Sequence, residues 1–179
     1  MNVFTIGAPE GYEWVLPVHE EDFEILRLDG TPRRAGWEPV PMRRLRVDAR
    51  GQCLQDSDFP TCSGSDMLMC RERAVTALRE TLETCGELLP LACADGLPLW
   101  TLNVTQLLDA LDEEESTLLR VPETGKILRV IAPRFRRQKL AGSRLFKLAQ
   151  APKGLIYASE EFVRSVQPLG LRGIEFKEV

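Results

Sequence analysis

The sequence predicts an α+β fold: a single domain in which a mixed, mainly antiparallel sheet packs against one longer helix and one or two short ones. Three observations carry this. A helical period runs through residues 71–85. Apolar runs bounded by turn-forming residues recur on both sides of it, and the chain closes with strand, turn, strand, short helix and strand. A chain of 179 residues and 20.2 kDa should expose about 8,800 Å² when folded and bury about 70% of its unfolded surface, enough for one core. Apolar residues at 44% and charged residues at 28% fit a globular protein and are too apolar for disorder.

Residues 1–60 hold six of the twelve prolines and read as an irregular, strand-rich part, whereas 61–179 reads as the helix-plus-sheet core of the same domain. VFTI near the start, DFEILRL before Asp29-Gly30, and MRRLRV before Asp48 are each predicted as strands, because large or β-branched apolar residues are bounded by turn formers. Trp14 and Trp37 are expected to cap the core from one side.

In the helix, Ala74, Leu78, Leu82 and Cys85 recur at spacings of four, four and three. Val75 and Ala77 widen the stripe, and the charged Arg71, Arg73, Arg79, Glu80 and Glu83 fall largely outside it. Gly86 is expected to end the helix in a left-handed conformation. ELLPLAC and PLWTLNV, separated by residues 94–97, form a predicted hairpin, with Pro90 and Pro98 at edge or strand-start positions because they lack a ladder donor. TQLLDALDEEES is expected to make a short helix and turn with Leu107, Leu108 and Leu111 inward. STLLRVPETGKILRVIAP then reads as a second hairpin turning at residues 122–125. In the tail, SRLFKLAQ and GLIYAS are strands joined at 151–154. Ser159 caps a short helix that buries Phe162, Val163 and Val166, and GIEFKEV closes as a strand.

The same residues bound the chemistry. The five cysteines, Cys53, Cys62, Cys70, Cys85 and Cys93, contain no CxxC pair. With no signal-peptide pattern at the N-terminus and no apolar run near membrane-span length, they read as buried reduced thiols of a cytoplasmic protein. Cys70 is placed at the opening of the helix, where a dipole lowers a thiol pKa. The one histidine, His19, lies far in sequence from any cysteine or carboxylate cluster. GxSxG, GxxxxGK[ST], GxGxxG and HExxH are all missing, so no catalytic residue, metal ligand or cofactor is assigned. Asn103-Val104-Thr105 is a chance glycosylation match.

The sharpest charge feature is an acidic elbow: Asp109, Asp112, Glu113, Glu114 and Glu115. Consecutive Glu side chains diverge on any regular backbone, and the EF-hand pattern is absent, so the elbow reads as a solvated turn or a surface for a basic partner. Opposite charge gathers at Arg129, Arg134, Arg136, Arg137 and Lys139, and at Arg33, Arg34, Arg43, Arg44, Arg46 and Arg50. A net charge of −4 and the lack of aromatics interleaved with arginine argue against nucleic acid. Segregated charge suits a protein partner.

The order CRERAVTALRETLETCGELLPL, LNVTQLLDALDEEES and LFKLAQAPKGLIYASEEFVRSVQPLGLRGIEFKEV resembles the immunity-protein family numbered eleven of bacterial polymorphic toxin systems, across roughly residues 37–179. The features that carry it are a leucine-rich elbow with Asp112 and Ser116 and a rhythm of Phe146, Gly173 and Phe176. Cys70, where a Ser-like cap is expected, departs from the pattern. The resemblance implies an α+β protein, not an enzyme, that neutralises a cognate toxin by stoichiometric binding. On that reading the elbow from Asp109 to Glu115 lies at or beside the contact, and Trp100 and Phe135 serve either as anchors or in the core. It involves neither nucleic acid nor membrane and leaves homo-oligomerisation open. Two rivals are a small-molecule binder or unrecognised enzyme, which requires a deep polar pocket, and a structural adaptor of a secretion or contact-dependent assembly, which requires a broad apolar patch.

Overall fold

The computed structural model describes residues 2–179. In chain order its elements are β1 (Val3–Gly7), β2 (Trp14–Pro17), α1 (Asp22–Leu26), β3 (Pro41–Leu45), β4 (Met69–Arg71), α2 (Glu72–Cys85), β5 (Gly86–Cys93), β6 (Leu99–Val104), β7 (Leu107–Leu108), β8 (Thr117–Arg120), β9 (Ile127–Ala132), β10 (Leu145–Leu148), β11 (Tyr157–Ser159), α3 (Glu160–Val166) and β12 (Glu175–Glu178). The α+β class is as the sequence predicts. The strands, however, divide into two five-stranded sheets, β12-β1-β11-β10-β7 and β2-β3-β5-β6-β4, plus a separate ribbon of β8 and β9. Pairing is antiparallel except for β10 with β7 and β3 with β5.

The reason for two sheets lies in α2. Its stripe of Ala74, Val75, Leu78, Leu82 and Cys85 is too wide for one neighbour, and these residues share a core cluster with Leu88 and Leu102 of the second sheet, Ile6, Leu145 and Ala158 of the first, and Phe162 of α3. Both sheets close on the helix, whose outward Ala77 is exposed, as its place at the edge of the stripe allows. The remaining face of each sheet builds its own cluster. Val15, Leu26, Met42, Met69 and Leu99 fill one. Phe146, Leu148, Tyr157 and Leu111 fill the other, with Leu118, Ile127 and Val130 of the ribbon folded over them.

The predicted hairpin of β5 and β6 forms, but Pro90, expected at an edge or strand start, lies inside the central strand β5. Ala92 N–H donates to Val40 O at 3.0 Å, so Pro90, two residues earlier, faces the same side just past the end of β3. There its carbonyl accepts from Trp37 Nε1 at 2.8 Å. The tail also follows prediction: Phe162 N–H donates to Ser159 Oγ at 3.4 Å, and Phe162, Val163 and Val166 are buried.

Several expectations need correction. DFEILRL makes the short helix α1 rather than a strand, with Asp22 and Glu24 in its first turn, where negative charge is favoured. The segment after β6 makes no helix. Its backbone is given to the edge of β10, since Lys147 N–H donates to Gln106 O at 2.9 Å and Ala149 N–H to Leu108 O at 3.0 Å. Leu111 is buried, but Leu107 is exposed, because the strand geometry turns it outward. Gly86 has φ 172°, which is extended backbone. A glycine stands here because a Cβ would lie 1.9 Å from Asn103 O across the hairpin. Cys70 sits inside β4 and is fully buried, leaving Arg71 as the N-cap of α2. Trp14 projects to solvent, and only Trp37 packs against the core.

No helix among the described residues is long and apolar enough to cross a membrane. The accessible surface, 9839 Å², exceeds the size-based expectation.

Candidate partner-binding face

The acidic elbow links β7 to the ribbon, and its five carboxylates do different work. Asp109 Oδ1 accepts from the guanidinium of Arg136 at 2.8 Å and from Gln150 Nε2 at 2.6 Å, tying the elbow to the strand end beyond β10. Asp112 is half-buried and organises the turn. Its N–H donates to Arg134 O at 2.8 Å, its carbonyl accepts from Ser116 N–H at 3.0 Å, and its Oδ1 accepts from the N–H groups of Glu114 and Glu115 at 3.2 and 3.3 Å. Such a side-chain acceptor replaces the missing backbone partners of a turn. Ser116 Oγ completes the clamp by accepting from Arg134 N–H at 2.8 Å. Glu113 pairs with Arg120. Glu114 and Glu115 are exposed and have no ion-pair partner among the described residues. The five acids do not converge on a point, and the carboxylates free for a partner are those of Glu114 and Glu115.

Next to the elbow stands the ribbon. Leu118 faces Val130 and Leu119 faces Arg129, but the register slips between Thr117 and Leu118 and again between Leu119 and Arg120. Each slip leaves one residue of β9 without a cross-strand partner, and these residues are Ile131 and Leu128. They are also the most exposed large apolar residues of the described chain, at 60% and 66%. β-bulges re-aim side chains, and here they turn two aliphatic groups to water while Ile127 and Val130 keep their places in the core.

Together with Leu119 these residues form one wall of a groove of about 860 Å³, whose other side is Leu148 and residues 150–155, with Tyr157 also in its lining. All of residues 127–131 border it, so the unpaired edge of β9 runs along its length. Arg27, Asp29, Asp66, Arg129 and Lys153 supply its charge.

Sequence reasoning assigned the elbow and foresaw the ribbon as a hairpin, but did not single out its exposed apolar residues. A signal was present: Ile127-Leu128 and Val130-Ile131 are doubled apolar pairs that break the alternation of a two-faced strand, the pattern that two bulges produce. Of the two aromatic candidates, Phe135 packs edge-on against Tyr157 with ring centroids 5.2 Å apart, and Trp100 packs against the central core. Both are core residues.

Other polar clusters are accounted for by the fold. Glu13, 2% exposed, pairs with Arg44 and Arg71, which also pair with Asp95; Arg44 reaches Asp56 as well. Burial pulls the Asp95 carboxyl up, but the Leu97 N–H, Cys93 and Arg71 together bring it below its ordinary value. Arg44 and Arg136 thus spend their charge internally, whereas Arg129 and Arg134 have no ion pair among the described residues. Lys147 is 1% exposed and donates from Nζ to Leu28 O at 2.7 Å. Burial pushes its ammonium down to about 8, against the opposing pull of Asp66 and Asp29. Cys62, Cys70 and Cys85 are buried, Cys93 is half-buried and Cys53 is exposed. Burial raises the Cys62 thiol to about 12 and raises Cys70 further, the opposite of the lowered pKa expected at a helix N-terminus. No group of three or more His, Cys, Asp or Glu suited to a metal occurs among the described residues.

The α+β scaffold commits its buried charges to internal pairs and presents an acidic turn beside an apolar ribbon. Residues 94–179 match the model of the immunity protein family (Imm11), the family named by the sequence resemblance, over a shorter stretch than the resemblance covered. The matched stretch holds β6, the elbow, the ribbon, both walls of the groove and the tail. No curated protein matches the chain.

Proposed function

We propose that this protein is an immunity protein that binds and neutralises a cognate bacterial toxin by stoichiometric association, covering the toxin's active surface or one beside it. The supporting observation is that the stretch matching the immunity family, residues 94–179, holds the elbow and the ribbon, the two surface features that the core does not use. The elbow, Asp109 to Glu115, lies at or beside the contact. Asp109 and Asp112 hold its shape, and Glu114 and Glu115 face a basic patch of the toxin, where complementary charge speeds encounter. Family and surface together favour binding over catalysis. The protein works in the cytoplasm, where unpaired cysteines stay reduced, and its partner is a protein rather than nucleic acid or membrane.

The test is co-expression with the polypeptide encoded beside this protein's gene. Rescue of growth together with co-purification is expected. Continued toxicity with both chains soluble would remove the reading. With the pair in hand, Glu114→Ser and Glu115→Ser together should slow association by about tenfold at low salt and far less at high salt.

A further inference from the structure

The groove beside the ribbon has the features of a strand-binding site. Five successive residues of β9, Ile127 to Ile131, border it, a length of about 16 Å at the usual rise per residue. Among the described residues, no backbone or side-chain group bonds to the N–H and C=O groups on the outer edge of this strand. Open edges are blunted by charge, proline or bulges; this one has Arg129 and two bulges, yet it still leaves Leu128 and Ile131 facing outward.

The charge around the groove selects the occupant. Asp29 is engaged by Arg33 at 3.6 Å, and Asp66 is the second anion of the lining, which holds three cations. Arg27 and Lys153 share the single carboxylate of Glu24, at 3.2 and 4.0 Å, and Arg129 has no partner among the described residues. The groove is therefore apolar with an excess of positive charge, the reverse of the elbow next to it. Asp109 joins the two, since its carboxylate holds Gln150 of the groove wall.

We propose that the free edge of β9 takes an extended segment of the toxin as an added strand, one whose aliphatic side chains lie on Leu128, Ile131 and Leu148 and whose carboxylate meets Arg129. This rests on the immunity reading above and gives it a structural mode. Main-chain pairing supplies affinity, and the alternating pockets supply specificity. The toxin then meets opposite charges in sequence, a basic patch on the elbow and an acidic, aliphatic segment on the ribbon.

Amide hydrogen exchange of this protein, alone and bound to the polypeptide encoded beside its gene, tests the proposal. On complex formation, amides within 127–131 should slow by tenfold or more. Leu128→Lys with Ile131→Lys, both at exposed positions, should weaken the complex by ~100-fold, and Arg129→Glu by ~10-fold. Glu123→Lys, at the hairpin tip outside the groove, should leave it unchanged. If the wild-type chains co-purify with no added protection at 127–131, strand addition is overturned and the immunity reading stands. If they do not bind, both fall. Concentration-dependent protection of the same amides in the protein alone would assign the edge to a second copy of this chain and overturn the proposal.

Discussion

The segment from β4 to β6 and the segment from the elbow to β9 are adjacent in sequence and similarly rich in leucine, yet they treat their apolar residues in opposite ways. In the first, period and burial agree within the elements: the α2 stripe apart from Ala77, with Leu89, Leu99 and Leu102, is buried, and Leu97 of the turn before β6 is exposed. In the second, Leu118, Ile127 and Val130 pack inward while Leu119, Leu128 and Ile131 stay in water. Exposure of large aliphatic groups on a free sheet edge invites aggregation, which is the ground for the proposal that this edge is covered by a partner. The contrast separates the part of the molecule that supports the fold from the part left open at its surface.

The largest effects should come from disturbing the supporting part. Glu13→Ala leaves Arg44 and Arg71 facing each other in a buried site without their shared carboxylate. Breaking a buried pair in this way costs about 4 kcal/mol, read by chemical denaturation. A loss under about 1 kcal/mol would mean that Asp95 and Asp56 suffice to balance the two guanidinium groups. Gly86→Ala, which drives a Cβ against Asn103 O, should cost about 3 kcal/mol as the hairpin opens to make room. Gly96→Ala serves as the comparison. It stands in open space at φ +73° and meets only the backbone penalty, about 1 kcal/mol. Equal losses at the two glycines would reject close approach as the reason for Gly86.

How much could be read in advance divides along the same line. The helix α2, the β5–β6 hairpin and the Ser159-capped α3 were legible because each is specified by neighbours in sequence: an apolar period, a turn, a cap. The partition into two sheets was not, since β1 pairs with β11 and β12 more than 150 residues away, and nothing local encodes that choice. Residues 105–116 were read as a short helix and turn because the competing partner, the edge of β10, lies about 40 residues downstream. Gly86 was legible as a glycine position but not for its reason, which is a contact across the hairpin. At the candidate site the charge of the elbow was visible, but its division of labour was not. Asp112 and Glu114 look alike in a run of acids, and only the turn reveals that one carboxylate serves the backbone and the other serves nothing within the chain.

Lys147 offers an intermediate effect that sharpens the contrast, because it is a charge carried by the supporting part without a carboxylate in contact. Its folded pKa, about 8, lies below the ordinary lysine value of 10.5, so the unfolded chain binds more protons between these limits. Stability therefore rises with pH across that window, and the full penalty of burying the ammonium applies below about pH 8. Buried Cys62 works in the other direction, with a folded pKa of about 12 against 9.0, so the unfolded thiol ionises first and stability falls above pH 9. Subtracting the curve of Lys147→Met from that of the wild type cancels the cysteines. The difference should move in favour of the wild type by about 1 kcal/mol from pH 7 to pH 9. Parallel curves would show that Lys147 keeps a normal pKa.

The smallest effects belong to the elbow, and they distinguish its two kinds of acid. Asp112→Ala removes the acceptor of the Glu114 and Glu115 N–H groups and should cost about 1 kcal/mol, as loss of a comparable cap does. Glu114→Ala and Glu115→Ala remove exposed carboxylates without an ion-pair partner among the described residues and should each stay within about 0.5 kcal/mol. On association with the toxin the order should reverse: the Glu variants slow binding at low salt, and Asp112→Ala affects it only through the shape of the turn. If Asp112→Ala leaves thermal unfolding unchanged but slows association most, the half-buried carboxylate contacts the partner itself, and the line between scaffold and contact surface runs on the other side of Asp112.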